Sequence, residues 1–486
     1  MSYLGIDLGT SEVKAVLTDA ESNMIASSRT RLRVENPHPL WSEQSPQDWW
    51  NATLDAIAAI RSEQPRAFRA LRGIGLSGQM HGATLLNRSG NVLRPAILWN
   101  DMRAYAECVE LEALVPDSRS ITGNRAMPGF TAPKLLWLSK YEPAVFRAVQ
   151  KVLLPKDYIA WRLTGEFVSD MSDASGTLWL DVAKRDWSDR MLNATGLSRE
   201  NMPRLVEGSE PAARLRGELQ REWGLEGSVT VCGGAGDRAA SAIGIGVAHP
   251  GDAFLSLGTS GVLFAATTSY APNPAPAVHA FCHCVPQRWH QMSVILSAAA
   301  SVHWLAGLLK RGVAELIDIA PSGQSAAAPI FLPYLNGERT PHNDAAAKGV
   351  FYGMTSAHSA EHLAYSVLEG VAFAMADGYA AVRDAGTTLC AAAFVGGGSR
   401  SAFWGRLCAS ALGFQLNRSE GSDLGAALGA GRLARLACTR EELAAVIKAP
   451  AISARHEPDV ALRSLLADRF ERYRRLYHVL KSGFRG

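Results

Sequence analysis

One pattern of apolar and polar positions occurs twice, about half a chain apart. Each copy is a short strand-like run, a Gly-Thr-Ser turn and a second strand-like run, which predicts a β-hairpin. The repetition predicts a duplicated domain. The two copies are Tyr3–Leu8, Gly9-Thr10-Ser11 and Val13–Thr18, and then Ala253–Leu257, Gly258-Thr259-Ser260 and Val262–Ala265.

The rest of the pattern alternates strand-like runs with helical spacing, which indicates an α/β fold. A turn-rich stretch near residue 247 is the predicted domain boundary. The small-residue helix at Gly425–Gly431 is predicted to pack closely against a neighbour. The predicted strands are Ile74–Ser77, Ala96–Trp99, Val229–Gly236 and Ala392–Val395, and the other predicted helices are Trp49–Ile60, Asp237–Gly244 and Ser399–Leu412.

Composition excludes some classes of function. The 486 residues are 47% hydrophobic and 20% charged, which is typical of a globular protein of two or three domains. A net charge of +3 is too small to predict binding to nucleic acid or to an anionic membrane. The sequence has no transmembrane-length apolar run, and because it opens in a strand-like run, no signal peptide is expected. With seven scattered cysteines, the chain is expected to work in the reducing cytoplasm.

The two hairpin tips are predicted phosphate-binding turns. Glycine lets the backbone approach a ligand closely, and N–H groups and hydroxyls at such a tip can hold phosphate oxygens. Gly9, Thr10 and Ser11 form the first turn, and Gly258 and Thr259 belong to the second. A nucleotide held between the two halves is the expected ligand.

Asp7 ends the first predicted strand, two residues before Gly9. A carboxylate beside bound phosphate repels it unless a cation lies between them, and Mg²⁺ prefers such oxygen ligands. Asp7 is therefore expected to hold Mg²⁺ through water. A local hairpin cap is the alternative.

Asp237 is the strongest candidate for catalysis. It follows a glycine-rich turn at a strand-to-helix junction, where the helix N-terminus favours an ionised carboxylate. Such a carboxylate can accept the proton of an attacking hydroxyl. An ordinary helix N-cap is the alternative, and the two roles are compatible.

Three further clusters lie at the ends of predicted strands. The glycine triplet could let a flat purine slide past bare backbone, although a structural turn would also explain it. The other two combine polar and aromatic groups that suit a polyhydroxylated ligand, and a buried, hydrogen-bonded histidine is the alternative for one of them. The clusters are Gly396-Gly397-Gly398, Gln79-Met80-His81-Gly82, and Trp99-Asn100-Asp101 with Arg103.

A group of histidines and cysteines in the second half invites a metal hypothesis. The group lacks the two separated ligand pairs of structural zinc sites, and alternation along a strand would point neighbours to opposite faces. Ordinary packing is therefore predicted for His279, Cys282, His283 and Cys284.

Taken together, these motifs resemble those of the FGGY carbohydrate kinases, from the first strand to about residue 435. The resemblance rests on the two hairpins, the Gly236-Asp237 turn and the glycine triplet. Further stretches are similar to the family's two signatures. They are Gly349–Met354 with His362-Leu363 and Ser366–Glu369, and, less completely, Lys134–Trp137.

The resemblance implies two actin-like, or ribonuclease H-like, α/β domains with a nucleotide cleft between them. Residues 1–246 would mainly bind the sugar, and residues 247–486 would mainly bind ATP. The sugar-side runs resemble family members that phosphorylate D-xylulose to D-xylulose 5-phosphate. Those runs are His38–Gln44, Gly78–Gly82, Ile97–Asp101, Leu154–Tyr158, Ser169–Asp173 and Gly337–His342.

The resemblance also implies residue roles. Asp237 would be the general base, Asp7 would hold Mg²⁺, and the hairpin tips and the glycine triplet would hold ATP. Arg238 departs from the pattern, because asparagine usually follows this aspartate in the family members that phosphorylate D-xylulose. The resemblance therefore does not determine the charge beside the proposed base. The expected sugar-binding residues are Gln79, Met80, His81, Trp99, Asp101 and Asp237.

Two rival functions remain at this level. One is another ketose or polyol kinase of the same family, acting for instance on ribulose or glycerol. The other is a non-enzymatic actin-like ATPase of a filament or chaperone, which would need no sugar-binding clusters. A homodimer is a possible assembly, and no nucleic-acid or membrane partner is expected.

Overall fold

The computed structural model describes residues 1–419 and 424–485. Within these residues, each half of the chain is built around a mixed sheet of seven strands with helices against it. The predicted α/β class is therefore confirmed. No helix in this described part is long and apolar enough to cross a membrane.

The N-terminal half begins with the first predicted hairpin. Its strands, β1 to β15, are Ser2–Leu8, Glu12–Thr18, Met24–Arg31, Glu43–Gln44, Leu71–Gly78, Thr84–Leu86, Ala96–Ile97, Lys151–Leu153, Val168–Asp170, Leu180–Asp181, Asp186–Trp187, Arg204–Val206, Pro211–Arg214, Thr230–Cys232 and Ala235–Gly236. Its helices, α1 to α11, are Pro46–Glu63, Pro65–Arg69, Tyr105–Leu114, Ser118–Thr122, Thr131–Tyr141, Pro143–Ala148, Pro155–Thr164, Met171–Ser175, Asp189–Ala194, Gly217–Glu222 and Asp237–Gly244.

The C-terminal half begins with the second hairpin. Its strands, β16 to β24, are Ala253–Leu257, Gly261–Thr267, His279–Cys282, Trp289–Ile295, Ile330–Leu332, Val350–Tyr352, Ala391–Val395, Gln415–Ser419 and Ile452–His456. Its helices, α12 to α18, are Ala299–Leu309, Val313–Ile319, Ala360–Asp384, Ala402–Leu412, Gly425–Thr439, Leu443–Val446 and Val460–Leu480.

The two large sheets share one topology. In the first, the strand order β3-β2-β1-β5-β14-β13 has antiparallel pairs at both ends and parallel pairs β1–β5 and β5–β14 in the middle. In the second, β19-β17-β16-β22-β23-β24 repeats the same sequence of antiparallel and parallel pairs. The duplication predicted from the two hairpins is confirmed, and it extends over six strands of each sheet.

Helix α16 belongs to the C-terminal half in sequence but packs on the N-terminal sheet. It lies against β1 and β5, and it crosses α11. A Cβ atom on Gly5 would come 1.8 Å from the carbonyl oxygen of Ala427, and one on Gly75 would come 1.8 Å from that of Ala430. The predicted close packing of this small-residue helix is confirmed.

Three predicted elements differ from the structure. The single strand predicted over Val229–Gly236 is wrong, because Gly234 adopts a φ of 78° and separates β14 from β15. The strand predicted at Ala96–Trp99 stops at Ile97. The helix predicted from Ser399 begins at Ala402, after a 3₁₀ turn.

Candidate functional site

The first hairpin is closed by its own backbone. The Gly9 N–H donates to the Glu12 carbonyl at 3.0 Å, and the Gln79 N–H donates to the Leu8 carbonyl at 2.8 Å. The ends of β1 and β5 are therefore adjacent, and the turn predicted to bind phosphate lies beside the cluster predicted to bind sugar.

Side-chain hydrogen bonds connect the first turn with both predicted sugar-binding clusters, that of Gln79 and that of Trp99. Thr10 Oγ1 donates to Gln79 Oε1 at 3.0 Å and accepts from Trp99 Nε1 at 3.0 Å. Gln44 Nε2 donates to the Thr10 carbonyl at 2.7 Å, and Gln79 Nε2 donates to Gln44 Oε1 at 2.8 Å. Gln44 is not among the site residues predicted from the sequence, and its place in the sugar-side run His38–Gln44 was the available signal.

Asp7 lies in a mostly buried position at the end of β1. Its Oδ1 accepts from Ser77 Oγ at 3.0 Å, and Lys14 is its partner across the hairpin. Burial, and then the charge of Asp237, raise the pKa of the Asp7 carboxyl to about 6. A buried carboxylate whose charge is disfavoured by a second carboxylate fits a nearby divalent cation.

Asp237 is the first residue of α11, and its side chain is 38% exposed. The Arg238 Nε lies 3.8 Å from Asp237 Oδ2. The preceding Gly236 leaves room for Met80, since a Cβ there would come 2.9 Å from the Met80 sulfur. Met80 therefore packs against the backbone of the turn that carries Asp237.

His81 is held in one orientation. Its Nδ1 lies 2.6 Å from the Gly176 carbonyl, which can only accept, so Nδ1 carries the proton and Nε2 is an acceptor. Burial, and then the charge of Lys134, lower the pKa of His81 to about 3, so the ring is neutral. A φ of 70° puts this non-glycine residue in the left-handed region, a strain that is common at functional sites.

The second polar cluster divides into an exposed and a buried part. The Trp99 side chain is exposed, and its indole N–H is fixed by Thr10. The Asp101 carboxylate is 1% exposed and accepts from the Ser42 N–H at 2.6 Å and from the Arg103 guanidinium at 2.7 and 2.9 Å. These contacts make Asp101 a support for the loop that carries Trp99, and its contact with a sugar stays a prediction.

The second hairpin lies beside the glycine triplet. A Cβ on Gly396 would come 2.7 Å from the carbonyl oxygen of Leu257, the residue before Gly258. A Cβ on Gly397 would meet no described atom within 4 Å. The structure thus brings these two predicted nucleotide-binding elements together and leaves open space at the middle glycine.

The tip of the second hairpin also receives the start of a helix. The Gly258 carbonyl accepts from the Ala299 N–H at 2.9 Å, and the Thr259 carbonyl accepts from the Ala298 N–H at 2.9 Å. The first turn of α12 therefore fixes the hairpin tip.

The histidine and cysteine group lies in the interior. His279 Nδ1 lies 2.9 Å from Asn124 Oδ1, and Cys284 Sγ lies 3.4 Å from His283 Nδ1. In the residues that the structure describes, no three or more ligand-type side chains are arranged to hold a metal ion.

Comparison with known proteins assigns both halves to one family. Residues 2–244 match the model of the N-terminal domain of the FGGY family of carbohydrate kinases, and residues 253–438 match the model of its C-terminal domain. The two matches together cover most of the chain.

Individual relatives agree with this assignment. The chain is 50% identical to a xylulose kinase of Escherichia coli strain K12 over 481 residues, which covers 98% of this chain and 99% of that protein. Among solved structures, a "xyloylose kinase" from Brucella ovis is 49% identical with a TM-score of 0.97, covering 99% of this chain and 100% of that one. A xylulose kinase from Rhodospirillum rubrum is 27% identical with a TM-score of 0.93, and the match covers both chains completely. The protein belongs to the FGGY family of carbohydrate kinases.

Proposed function

We propose that this protein transfers the γ-phosphoryl group of ATP to the terminal hydroxyl of D-xylulose, which yields ADP and D-xylulose 5-phosphate. Family membership and the 50% identity to a xylulose kinase over nearly the full length support this activity. The observation that carries the proposal is that Asp237, Met80 and the Gly9 turn meet at the ends of neighbouring strands. A proton acceptor, a sugar-binding edge and a phosphate-binding turn are thus combined in one site.

Asp237 is the proposed general base. Its carboxylate accepts the proton of the attacking hydroxyl while that oxygen bonds to the γ-phosphorus, in line with the departing ADP oxygen. The Asp237 side chain is 38% exposed and therefore accessible, and Met80 packs against the preceding Gly236. Phosphoryl transfer depends mainly on positioning and charge neutralisation, so one well-placed base suffices.

The nucleotide would lie against the two hairpins. The turns Gly9-Thr10-Ser11 and Gly258-Thr259 would hold phosphate oxygens through backbone N–H groups and through the hydroxyls of Ser11 and Thr259, since the Thr10 hydroxyl already donates to Gln79. The open space at Gly397 suits a flat purine. We also propose that residues 1–246 mainly bind the sugar and residues 247–486 mainly bind ATP.

Asp7 would hold Mg²⁺ beside the phosphates. Its carboxylate has a raised pKa because it is buried and because Asp237 lies nearby. A divalent cation would reduce the repulsion between the two carboxylates. When bound, the ion supplies positive charge that screens the phosphate oxygens.

The sugar would lie against the end of β5. His81 presents the unprotonated Nε2, which can accept from a ketose hydroxyl. Gln79 and Trp99 are fixed by Thr10, so the sugar-binding edge and the phosphate turn would move together. Asp101 would act by holding the loop of Trp99.

A panel of acceptors tests the proposed activity. ADP release would be measured with D-xylulose, D-ribulose, L-ribulose, D-fructose, xylitol and glycerol, and D-xylulose should give the highest kcat/KM. A preference for ribulose or glycerol would assign the protein to another branch of the family. ATP hydrolysis that responds to no sugar would indicate the filament or chaperone class instead.

We propose that the enzyme works in the cytoplasm, as a homodimer that binds only small molecules as substrates. Light scattering coupled to gel filtration would give the mass in solution, and fractionation of the source cells would give the compartment. A monomeric mass would contradict the dimer.

A further inference from the structure

A cluster of buried charges lies directly behind the turn that carries Asp237. The Lys156 Nζ is 2.9 Å from Asp170 Oδ1 and 3.7 Å from Asp173 Oδ2, and it also contacts the Asp157 carboxylate. All four side chains are at most 2% exposed. The Lys156 ammonium offsets part of the negative charge of these carboxylates, and burial still raises the pKa of Asp157 and of Asp173.

One serine connects this cluster to the turn. Ser172 Oγ accepts from the Gly236 N–H at 3.1 Å, and Ser172 Oγ–H donates to Asp170 Oδ2. The direction of each bond is fixed, because a backbone N–H can only donate and an ion-paired carboxylate can only accept. The chain of contacts runs from Lys156 through Asp170 and Ser172 to the residue before Asp237.

The same cluster supports the sugar-binding edge. Gly236 pairs with Gly78 in the parallel ladder of β15 and β5. A Cβ on Gly78 would come 3.2 Å from the Cβ of Lys156, so the lysine packs directly beneath that strand end. Gln79 follows Gly78, and Asp237 follows Gly236, so one buried network contacts both walls of the site.

We propose that Ser172 is a positioning residue for phosphoryl transfer, because its hydroxyl fixes the Gly236 peptide and thereby aims the Asp237 carboxylate. Glycine has the widest choice of backbone conformation, so the bond from the Gly236 N–H to Ser172 adds to the pairing with Gly78 in defining where the next residue points. A displacement of about 1 Å at a reacting group can cost about 100-fold in rate. This inference rests on the proposed role of Asp237 as the base.

A second serine on the same helix provides a matched control. Ser175 is also buried on α8, and its Oγ accepts from the Cys282 N–H at 3.0 Å while donating to the Met171 carbonyl. Each serine thus receives one backbone N–H from a neighbouring segment. Only the segment held by Ser172 leads to Asp237.

The test compares Ser172→Ala with Ser175→Ala in the full-length protein. We expect Ser172→Ala to lower kcat about 10-fold or more, with the KM values for D-xylulose and ATP within about twofold of wild type. Ser175→Ala should show a similar decrease in Tm and a kcat close to wild type. Amide hydrogen exchange at Gly236 should accelerate only in Ser172→Ala. Equal kcat values in the two variants would overturn the proposal.

Two further variants keep the outcome unambiguous. If Ser172→Ala does not fold, Ser172→Cys preserves volume with a much weaker hydrogen bond, and a wild-type kcat in that variant would also overturn the proposal. Asp237→Asn is measured alongside and should lose about 10²–10⁴-fold in kcat. Near-normal turnover in Asp237→Asn refutes the base itself. If Asp237→Asn is inactive while the two serine variants are equal, only the positioning role of Ser172 fails.

Discussion

At the scale of single residues, a substitution at Asp7 distinguishes a metal ligand from a hairpin cap, because only the loss of a metal ligand changes the Mg²⁺ requirement. Asp7→Asn keeps an acceptor for Ser77 but removes the negative charge. We expect the Mg²⁺ concentration for half-maximal activity to rise about 10–100-fold, as for a ligand that acts through bound water. Binding of D-xylulose without nucleotide, measured by calorimetry, should not change.

A true turn cap elsewhere in the N-terminal half serves as the control. Asp19 accepts from the N–H groups of Glu21 and Asn23 in the turn between β2 and β3. Asp19→Asn should leave the Mg²⁺ titration unchanged. If Asp7→Asn also leaves it unchanged, Asp7 is only a cap.

His81 tests the sugar side. His81→Asn removes the ring acceptor, while asparagine tolerates the left-handed backbone better than most residues. Losing one hydrogen bond to a neutral hydroxyl costs about 0.5–1.5 kcal/mol, so the Kd for D-xylulose should rise about 2–13-fold. Titration of an ATP analogue should show no change, and a loss confined to ATP would mean that the sugar pocket is elsewhere.

Residues whose chemistry is visible in adjacent positions could be predicted from the sequence. Asp7 beside Gly9, and Asp237 after its glycines, carry their own local context. Gln44 and Ser172 do not, because the contacts that connect them to the site are remote in sequence. Gln44 bonds Gln79, 35 positions away, and Ser172 bonds Gly236, 64 positions away. A glutamine or serine has many possible roles, and only the fold selects one.

At the scale of elements, the contact between α16 and the N-terminal sheet depends on bare backbone. Gly75→Ala would force a methyl group against the Ala430 carbonyl oxygen. We expect it to destabilise the protein by about 1–3 kcal/mol or more, measured as a decrease in Tm. Gly307→Ala is the control, because Gly307 is exposed on α12 with no atom within 4 Å of its added Cβ. It should be neutral or slightly stabilising, and equal losses would show that close packing is not the cause.

The elements that could be predicted are those whose own residues show a clear spacing of apolar, polar and small side chains. The hairpins and α11 follow from their own residues. The strand predicted over Val229–Gly236 failed because the break at Gly234 is imposed from outside: a Cβ there would come 2.2 Å from the Leu76 carbonyl oxygen. Apolar character alone cannot reveal a bend that a neighbouring strand requires.

At the scale of the whole molecule, the sequence repeat predicted two halves, but it did not predict that a helix of the second half packs on the sheet of the first. Because α16 covers β1 and β5, residues 1–246 lack part of their own core. We expect this fragment, expressed alone, to bind a hydrophobic dye and to unfold without a cooperative transition. Co-expressed with residues 247–486, it should co-purify and unfold cooperatively. A stable, cooperative fragment 1–246 would contradict this view of the core.

The same arrangement sets an order for folding during protein synthesis. The first sheet cannot be fully covered until the ribosome has translated through Thr439, roughly 190 residues after the N-terminal half is complete. At about 5–20 residues per second, that face stays open to solvent for about 10–40 s. A nascent chain with an uncovered apolar sheet is a substrate for chaperones, so its yield in cells should depend on chaperone supply and translation speed more strongly than its final stability suggests.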